Sequence, residues 1–398
     1  MPPPEAAASG PRDAAAPTWE QRLVRRANTL YADSIAGLPF LRMAFALLFV
    51  LASLPSGRWV AAFESFPAQP PPGLPWLMVA AFGGSPPAWL YGVLNPVLGV
   101  LAFLLFVGKW TRTASVGLAL GFLLMQGGLF TTGKIGHNIT LVIMPLVMAY
   151  AGWGDRLSLD AQARARARAR DGAGGRPRVS PARAGYLLTL WAWIVGCSLF
   201  TSALPKLRGG WLDTEKQAVL YHTLRNFHLT GRDTPTTRLT IELPMPWWVW
   251  EAQDWATVLA EGAPAFLVFL PLLFRVNLVV LVLFHTAVFF TMDIFFVQSF
   301  LAYAAFLPWR RMGALPGVRR ARHAVGAAFA RPRPAVLAVL LAVFLGSAVW
   351  GLDPLQQRLP PAVDLRWAAC ALFCAVVVGG IGAWHAHRWA GARRGPRP

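Results

Sequence analysis

The stretch YLLTLWAWIVGCSLFTSALPKLRGGWL, residues 186–212, decides the class of fold. Its apolar first part has no charged side chain and is long enough to cross a bilayer as one helix, which takes about 20 apolar residues. Pro205 lacks the amide hydrogen that a helix interior needs, and Gly209 and Gly210 permit a tight reversal. The stretch therefore predicts a transmembrane helix that stops at Pro205 and places Lys206 at the membrane edge.

The composition of the whole chain is that of a membrane protein. Of its 398 residues, 56% are hydrophobic and only 14% are charged, and 18 tryptophans and 25 phenylalanines are present. Apolar runs recur from about residue 35 to about residue 387, which excludes an ordinary soluble domain. We therefore predict an all-α, polytopic integral membrane bundle with no large soluble domain.

The apolar runs predict about ten transmembrane segments. These are residues 35–55, 89–107, 114–130, 139–153, 186–204, 256–274, a hairpin of two within 276–309, 335–350 and 367–384. Residues 74–82 are too short to cross and are predicted to be re-entrant or interfacial. Leu220, Leu224 and Phe227 follow the spacing of an amphipathic helix that lies on the membrane surface.

Four regions follow from this layout. Residues 1–33 form a disordered, basic arm with a short interfacial helix, and residues 34–310 form the main transmembrane domain. Residues 311–388 add a basic loop and two transmembrane helices, and residues 389–398 are a basic tail. The alternation ARARARAR at 163–170, within residues 154–184, has no amphipathic face and predicts a flexible basic loop.

The arginines indicate which side of the membrane each loop occupies. The arm, the turn at 109–112, the loops at 154–184 and 310–334 and the tail all fall on one side, which the positive-inside rule makes cytoplasmic together with both termini. Lys206 then lies on the extracytoplasmic side. Anionic lipid headgroups at the basic loops account for the net charge of +19 without nucleic acid. Frequent Ala, Arg, Pro and Gly indicate a bacterial source, and so the bacterial cytoplasmic membrane.

Lys206 is the first candidate for chemistry. A lysine between apolar surface and water loses its charge more easily than one in bulk solvent, and it can then act as a general base. Trp211, five residues later, has a ring that prefers the membrane interface. The alternative is a lysine that snorkels to the interface and only marks a helix end.

Three further ionisable residues lie inside apolar runs, where such groups are functional candidates by default. Glu261 either belongs to a pocket or pairs with Arg42 or Lys206 to tie helices together. His285 either contacts a ligand or a proton, or bonds a neighbouring carbonyl. Arg42 must snorkel or find a partner, and with Glu261 and Trp211 it is a candidate pocket residue.

His137 and Asn138 lie in a predicted outer turn. They either line a common vestibule at this face of the membrane or are polar loop residues without a role. No cluster of His and Cys has the spacing of a metal site, so no metal is predicted.

Several of these residues lie in stretches that resemble the motifs of a known family. AGWGDRLSLD at 151–160, SALPKLRGGWL at 202–212, a helix with Glu261, and LFHTAVFFTMDIFF at 283–296 occur in this order. Together they resemble the HTTM (horizontally transferred transmembrane domain) superfamily, over roughly residues 20 to 310. The membrane domain of vitamin K-dependent gamma-glutamyl carboxylase belongs to this superfamily.

The resemblance implies a reaction. Lys206 matches the lysine regarded as the base that deprotonates vitamin K hydroquinone, with oxygen and carbon dioxide as co-substrates, and His285 matches a supporting histidine. The cofactor implied is a reduced vitamin K or menaquinone-type quinol, and a protein substrate is implied as a partner. The carboxylase also has a large lumenal domain that helps to bind its substrate, whereas this chain has only a basic loop and two helices after residue 310. The prediction is a quinol-dependent carboxylase or epoxidase-like enzyme; the alternative is a transporter or a scaffold for an envelope partner.

Overall fold

A computed structural model describes residues 18–52, 54, 87–130, 138–171, 178–231, 235–243, 245–292, 294 and 296–350. Within these residues the chain is helical and contains no strand, which confirms the all-α class. The predicted segments at 74–82 and 367–384 and the tail at 389–398 lie outside the described residues.

Sixteen α-helices occur in the described residues, numbered here in chain order. They are α1 Trp19–Ala27, α2 Leu38–Ala52, α3 Ala88–Val107, α4 Thr111–Phe130, α5 Ile139–Ala151, α6 Leu159–Arg170, α7 Pro181–Arg208, α8 Ala218–Thr230, α9 Pro235–Glu242, α10 Trp247–Gly262, α11 Pro264–Leu267, α12 Pro271–Met292, α13 Val297–Ala304, α14 Trp309–Met312, α15 Pro316–Ala330 and α16 Pro334–Trp350. A 3₁₀ turn, Ile35–Gly37, precedes α2.

Three of these helices are long and apolar enough to cross a membrane by length and composition: α3, α7 and α12. A fourth crossing is possible if α15 and α16, which meet at a bend of 107°, count as one broken span. Residues 35–51 and α5 are apolar but shorter. The chain thus has the helices of an integral membrane protein, while the total of about ten crossings stays a prediction.

Large buried side chains hold the middle of the bundle together. Phe49 of α2 meets Phe122 of α4 edge to face, with ring centroids 4.9 Å apart, and Phe45 lies 5.7 Å from Trp153. All four are almost fully buried. Trp153 also donates from Nε1 to Ser115 Oγ over 3.2 Å, so its one polar atom is satisfied inside the core.

One end of the bundle collects basic segments that are far apart in sequence. The Arg275 guanidinium binds both carboxylate oxygens of Asp33 at 2.5 and 3.1 Å, and the amide of Arg310 donates to the Asp33 carbonyl over 2.9 Å. The start of α12 and the start of α14 therefore lie at the same end of the bundle. The two crossings predicted within 276–309 stay a prediction, because α12 has 22 residues and α13 only 8.

The turn between α3 and α4 lies at the same end and is locked by Asp160. The Asp160 carboxylate accepts the amides of Trp110 and Thr111 at 3.0 and 2.8 Å and the Thr111 hydroxyl at 2.9 Å. The Asp160 amide donates back to the Gly108 carbonyl over 2.9 Å. Below, the end of the bundle that contains Asp33 and Asp160 is called the basic end.

The flexible loop predicted for the Ala/Arg alternation is wrong, since these residues form α6. Ser158 caps the helix through a hydrogen bond from the Ala161 amide to its hydroxyl, 3.0 Å long. Alanine and arginine are both strong helix formers, so the helix needs no apolar stripe to form.

Two predicted helix boundaries are also wrong. Helix α7 continues through Pro205 to Arg208, so Lys206 lies on its last turn. The predicted crossing at 256–274 is divided among α10, α11 and the start of α12. Proline explains that division, because Pro264 and Pro271 each occupy the first position of a new helix, where a missing amide hydrogen costs least.

Candidate functional site

The end of α7 positions Lys206 through its C-terminal turn. Gly210 adopts the left-handed conformation, with φ of 75°, and its amide donates to the Leu207 carbonyl over 3.3 Å. The Trp211 amide donates to the Lys206 carbonyl over 3.1 Å. This is a Schellman motif, which satisfies the last carbonyls of the helix. It folds Trp211 back so that the Lys206 ammonium lies 5.4 Å from the centre of the indole ring.

The Lys206 ammonium forms an ion pair with Glu261 on α10. Nζ donates to Glu261 Oε2 and, over 3.3 Å, to the Ser202 carbonyl one turn earlier. The two side chains are 21% and 9% exposed. Of the two partners that the sequence left open for Glu261, the structure selects Lys206. The pair joins α7 to α10 in a setting with little water.

His222 of α8 extends this cluster. Its ring centre lies 5.4 Å from that of Trp211. Partial burial, followed by the charges of Arg225 and Lys206, lowers the pKa of His222. The imidazole is therefore kept neutral beside the ammonium, where it is able to accept or donate a hydrogen bond.

We predict that acid weakens the fold through His222. Because its pKa is lower in the folded protein than in the unfolded chain, stability is lost as the pH falls below about 6.5. The melting temperature in detergent should fall between pH 7.5 and pH 5, and His222→Gln should flatten that fall.

His228→Gln is the matched control, since His228 lies on the same helix and is exposed. Equal pH profiles for the two variants would contradict the prediction.

His285 lies deeper in the bundle, on α12, and is 2% exposed. Its ring stacks on Phe296 with centroids 4.2 Å apart and planes 14° apart, and the Tyr303 ring lies 6.2 Å away. The charge of Glu261 also acts on the Tyr303 hydroxyl. Tyr303 therefore neighbours His285 and lies within reach of the Glu261 charge.

The remaining predicted residues are not brought to this cluster. Arg42 lies at the basic end, where it donates from Nη2 to the Leu157 carbonyl over 2.5 Å and interacts with the charge of Asp160. Asn138 directly precedes α5 and donates from Nδ2 to Gln126 Oε1 over 3.1 Å. His137 lies outside the described residues. The placement of Arg42 corrects its assignment to a pocket with Lys206: it fixes the 157–160 segment instead.

Comparison of the chain with family models, with curated proteins and with solved structures finds no match. The HTTM resemblance therefore stays a prediction from the quoted motifs. Within the described part of the chain, no three His, Cys, Asp or Glu side chains converge as metal ligands.

Proposed function

We propose that this chain is an integral membrane protein that acts on a lipid-soluble quinol, in the manner of a carboxylase or epoxidase-like enzyme, with Lys206 as the proton acceptor at its extracytoplasmic face. The observation that carries the proposal is the ion pair of Lys206 with Glu261 beside the Trp211 ring. The family resemblance supports the same residue from its motif.

The pair is suited to move a proton without creating net charge. A base must be neutral before it accepts a proton, and transfer from Lys206 Nζ to Glu261 Oε2 leaves an amine beside a carboxylic acid. Both forms are neutral as a pair, so the low polarity of the site does not oppose the exchange. Glu261 thus sets the proton content of Lys206, and the Trp211 ring lies against one side of the ammonium.

The surroundings fit a flat, apolar ring with hydroxyl groups. The indole of Trp211 offers a stacking face. Leu207, next to Lys206, and Phe266 of α11 are 43% and 71% exposed, which suits approach from lipid. Phe266 packs edge to face on Phe200 of α7, with ring centroids 5.5 Å apart. When bound, a quinol supplies an acidic hydroxyl and reducing equivalents.

Thermal shift with menaquinone tests the binding step. Quinone at ten times its dissociation constant should add about 1.4 kcal/mol to the stability of the purified protein and raise its melting temperature. Trp211→Leu should reduce the shift.

Trp248→Leu is the control, because Trp248 lies on the first turn of α10 and is 59% exposed. No shift, or an equal shift in both variants, would count against the proposal.

The second candidate function is a transporter or an envelope scaffold. The same ion pair favours it if the pair has a structural role and holds α7 against α10, because each charged partner stabilises the other in apolar surroundings. Solute flux into proteoliposomes that requires Glu261 and His285 would establish transport. If the protein binds no quinone and transports no solute, yet needs the ion pair to fold, the scaffold is the function that remains.

A further inference from the structure

A cleft at the basic end is lined by arginines that the quinol proposal does not use. It lies where α4 begins, α5 ends and α6 packs against residues 178–179. Arg112, Arg164 and Arg178 line it together with Asp155 and Asp160. Arg183, on the first turn of α7, adds its charge, because it acts on Arg112.

The two carboxylates in the cleft are already engaged. Asp160 caps the start of α4, as described above. Asp155 accepts the Val179 amide over 2.9 Å and forms an ion pair of 3.4 Å with Arg164. In the described part of the chain, no carboxylate lies within ion-pair distance of Arg112 or Arg178.

The arginines accordingly repel one another. Partial burial, then the charges of Arg178 and Arg183, lower the pKa of Arg112, which Asp155 and Tyr150 only partly offset. A bound anion would relieve this repulsion.

Exposed aromatic side chains place the cleft at headgroup level. The Arg112 guanidinium lies 5.4 Å from the centre of the Tyr150 ring, and Tyr150 is 44% exposed. Trp110 and Tyr186 are 62% and 45% exposed. Tyrosine and tryptophan concentrate where a bilayer meets water, so these exposed rings suit a cleft at that boundary.

An apolar track leads away from the cleft along α7. Arg183, Tyr186, Leu190 and Trp193 follow the spacing i, i+3, i+7 and i+10, which puts them on one face of the helix. Leu190 and Trp193 are 40% and 39% exposed. The arginines, the exposed aromatic rings and the apolar track thus lie in the same order as the charged headgroup, the interfacial region and the acyl chains of a phospholipid.

We propose that this cleft binds the phosphate headgroup of an anionic phospholipid, with Arg112 and Arg178 as its ligands and an acyl chain along the outer face of α7. A free phosphate would use the arginines but not the track. The site is independent of the quinol proposal, because it lies at the opposite end of α7.

The test uses the full-length protein in detergent, titrated with phosphatidylglycerol or phosphatidylcholine while its melting temperature is followed. We expect protection by phosphatidylglycerol and an affinity about tenfold lower in Arg112→Gln/Arg178→Gln, since charge-assisted hydrogen bonds are lost. Arg112→Lys/Arg178→Lys should retain most of the protection.

The charge-matched control is Arg166→Gln/Arg322→Gln, which removes two exposed arginines from α6 and α15. An equal loss of affinity in the two glutamine double variants would mean that phosphatidylglycerol is attracted only by the overall positive charge. That result would overturn the site. Protection by inorganic phosphate as strong as that by phosphatidylglycerol would overturn the lipid as its occupant. Melting in phosphatidylcholine shows whether each variant is folded.

Discussion

Lys206→Met is expected to lower quinol-dependent turnover by about 10²–10⁴-fold, the usual contribution of a positioned general base. Methionine keeps the length of the side chain and its contact with Trp211 but has no nitrogen to accept a proton. Turnover is followed as quinol epoxidation or as carbon dioxide incorporation in proteoliposomes. Turnover at the wild-type rate in Lys206→Met would show that Lys206 is not the general base.

Two controls separate loss of chemistry from loss of structure. Lys206→Met leaves Glu261 without its ammonium partner, so the double variant Lys206→Met/Glu261→Gln restores a neutral site and should recover stability but not turnover. Lys216→Met removes a lysine from the segment between α7 and α8, one that is 59% exposed and pairs with the exposed Asp213. It should leave turnover unchanged.

The apolar runs predicted much of the helical framework. Residues 89–107 and 139–153 were predicted as crossings, and the structure has α3 and α5 at almost these bounds. Hydrophobic length decides such helices, so it is visible in the sequence. The end of α7 was not predictable in the same way. Pro205 should have stopped it, yet the next residues complete a Schellman turn whose hydrogen bonds stabilise one more turn of helix.

The candidate site was only partly predictable for a related reason. Lys206 and Glu261 stand out because charge inside an apolar run is rare. Their pairing depends on how α10 packs against α7, which no spacing reveals across 55 residues. His222 and Tyr303 were missed, because a histidine on a surface helix and a tyrosine in an aromatic run carry no signal of their own.

Gly108→Ala is expected to destabilise the protein by about 3 kcal/mol or more. Gly108 ends α3 with φ of 70°, a conformation that costs an alanine about 1 kcal/mol. A methyl group there would also overlap Arg42 Nη1 and the Ser158 side chain. Arg42 is fully buried and bound to the Leu157 carbonyl, so it has no room to withdraw.

Two other glycines separate these effects when melting temperatures are compared in detergent. Gly231→Ala has the same backbone strain, with φ of 63°, but its methyl group meets nothing within 4 Å, so it should cost about 1 kcal/mol. Gly92→Ala, on α3, has neither strain nor contact and should be neutral or slightly stabilising. The excess loss in Gly108→Ala over Gly231→Ala measures how tightly Arg42 and the 157–160 segment close the basic end. If the two variants melt alike, that closure is loose, and the buried Arg42 is free for another role.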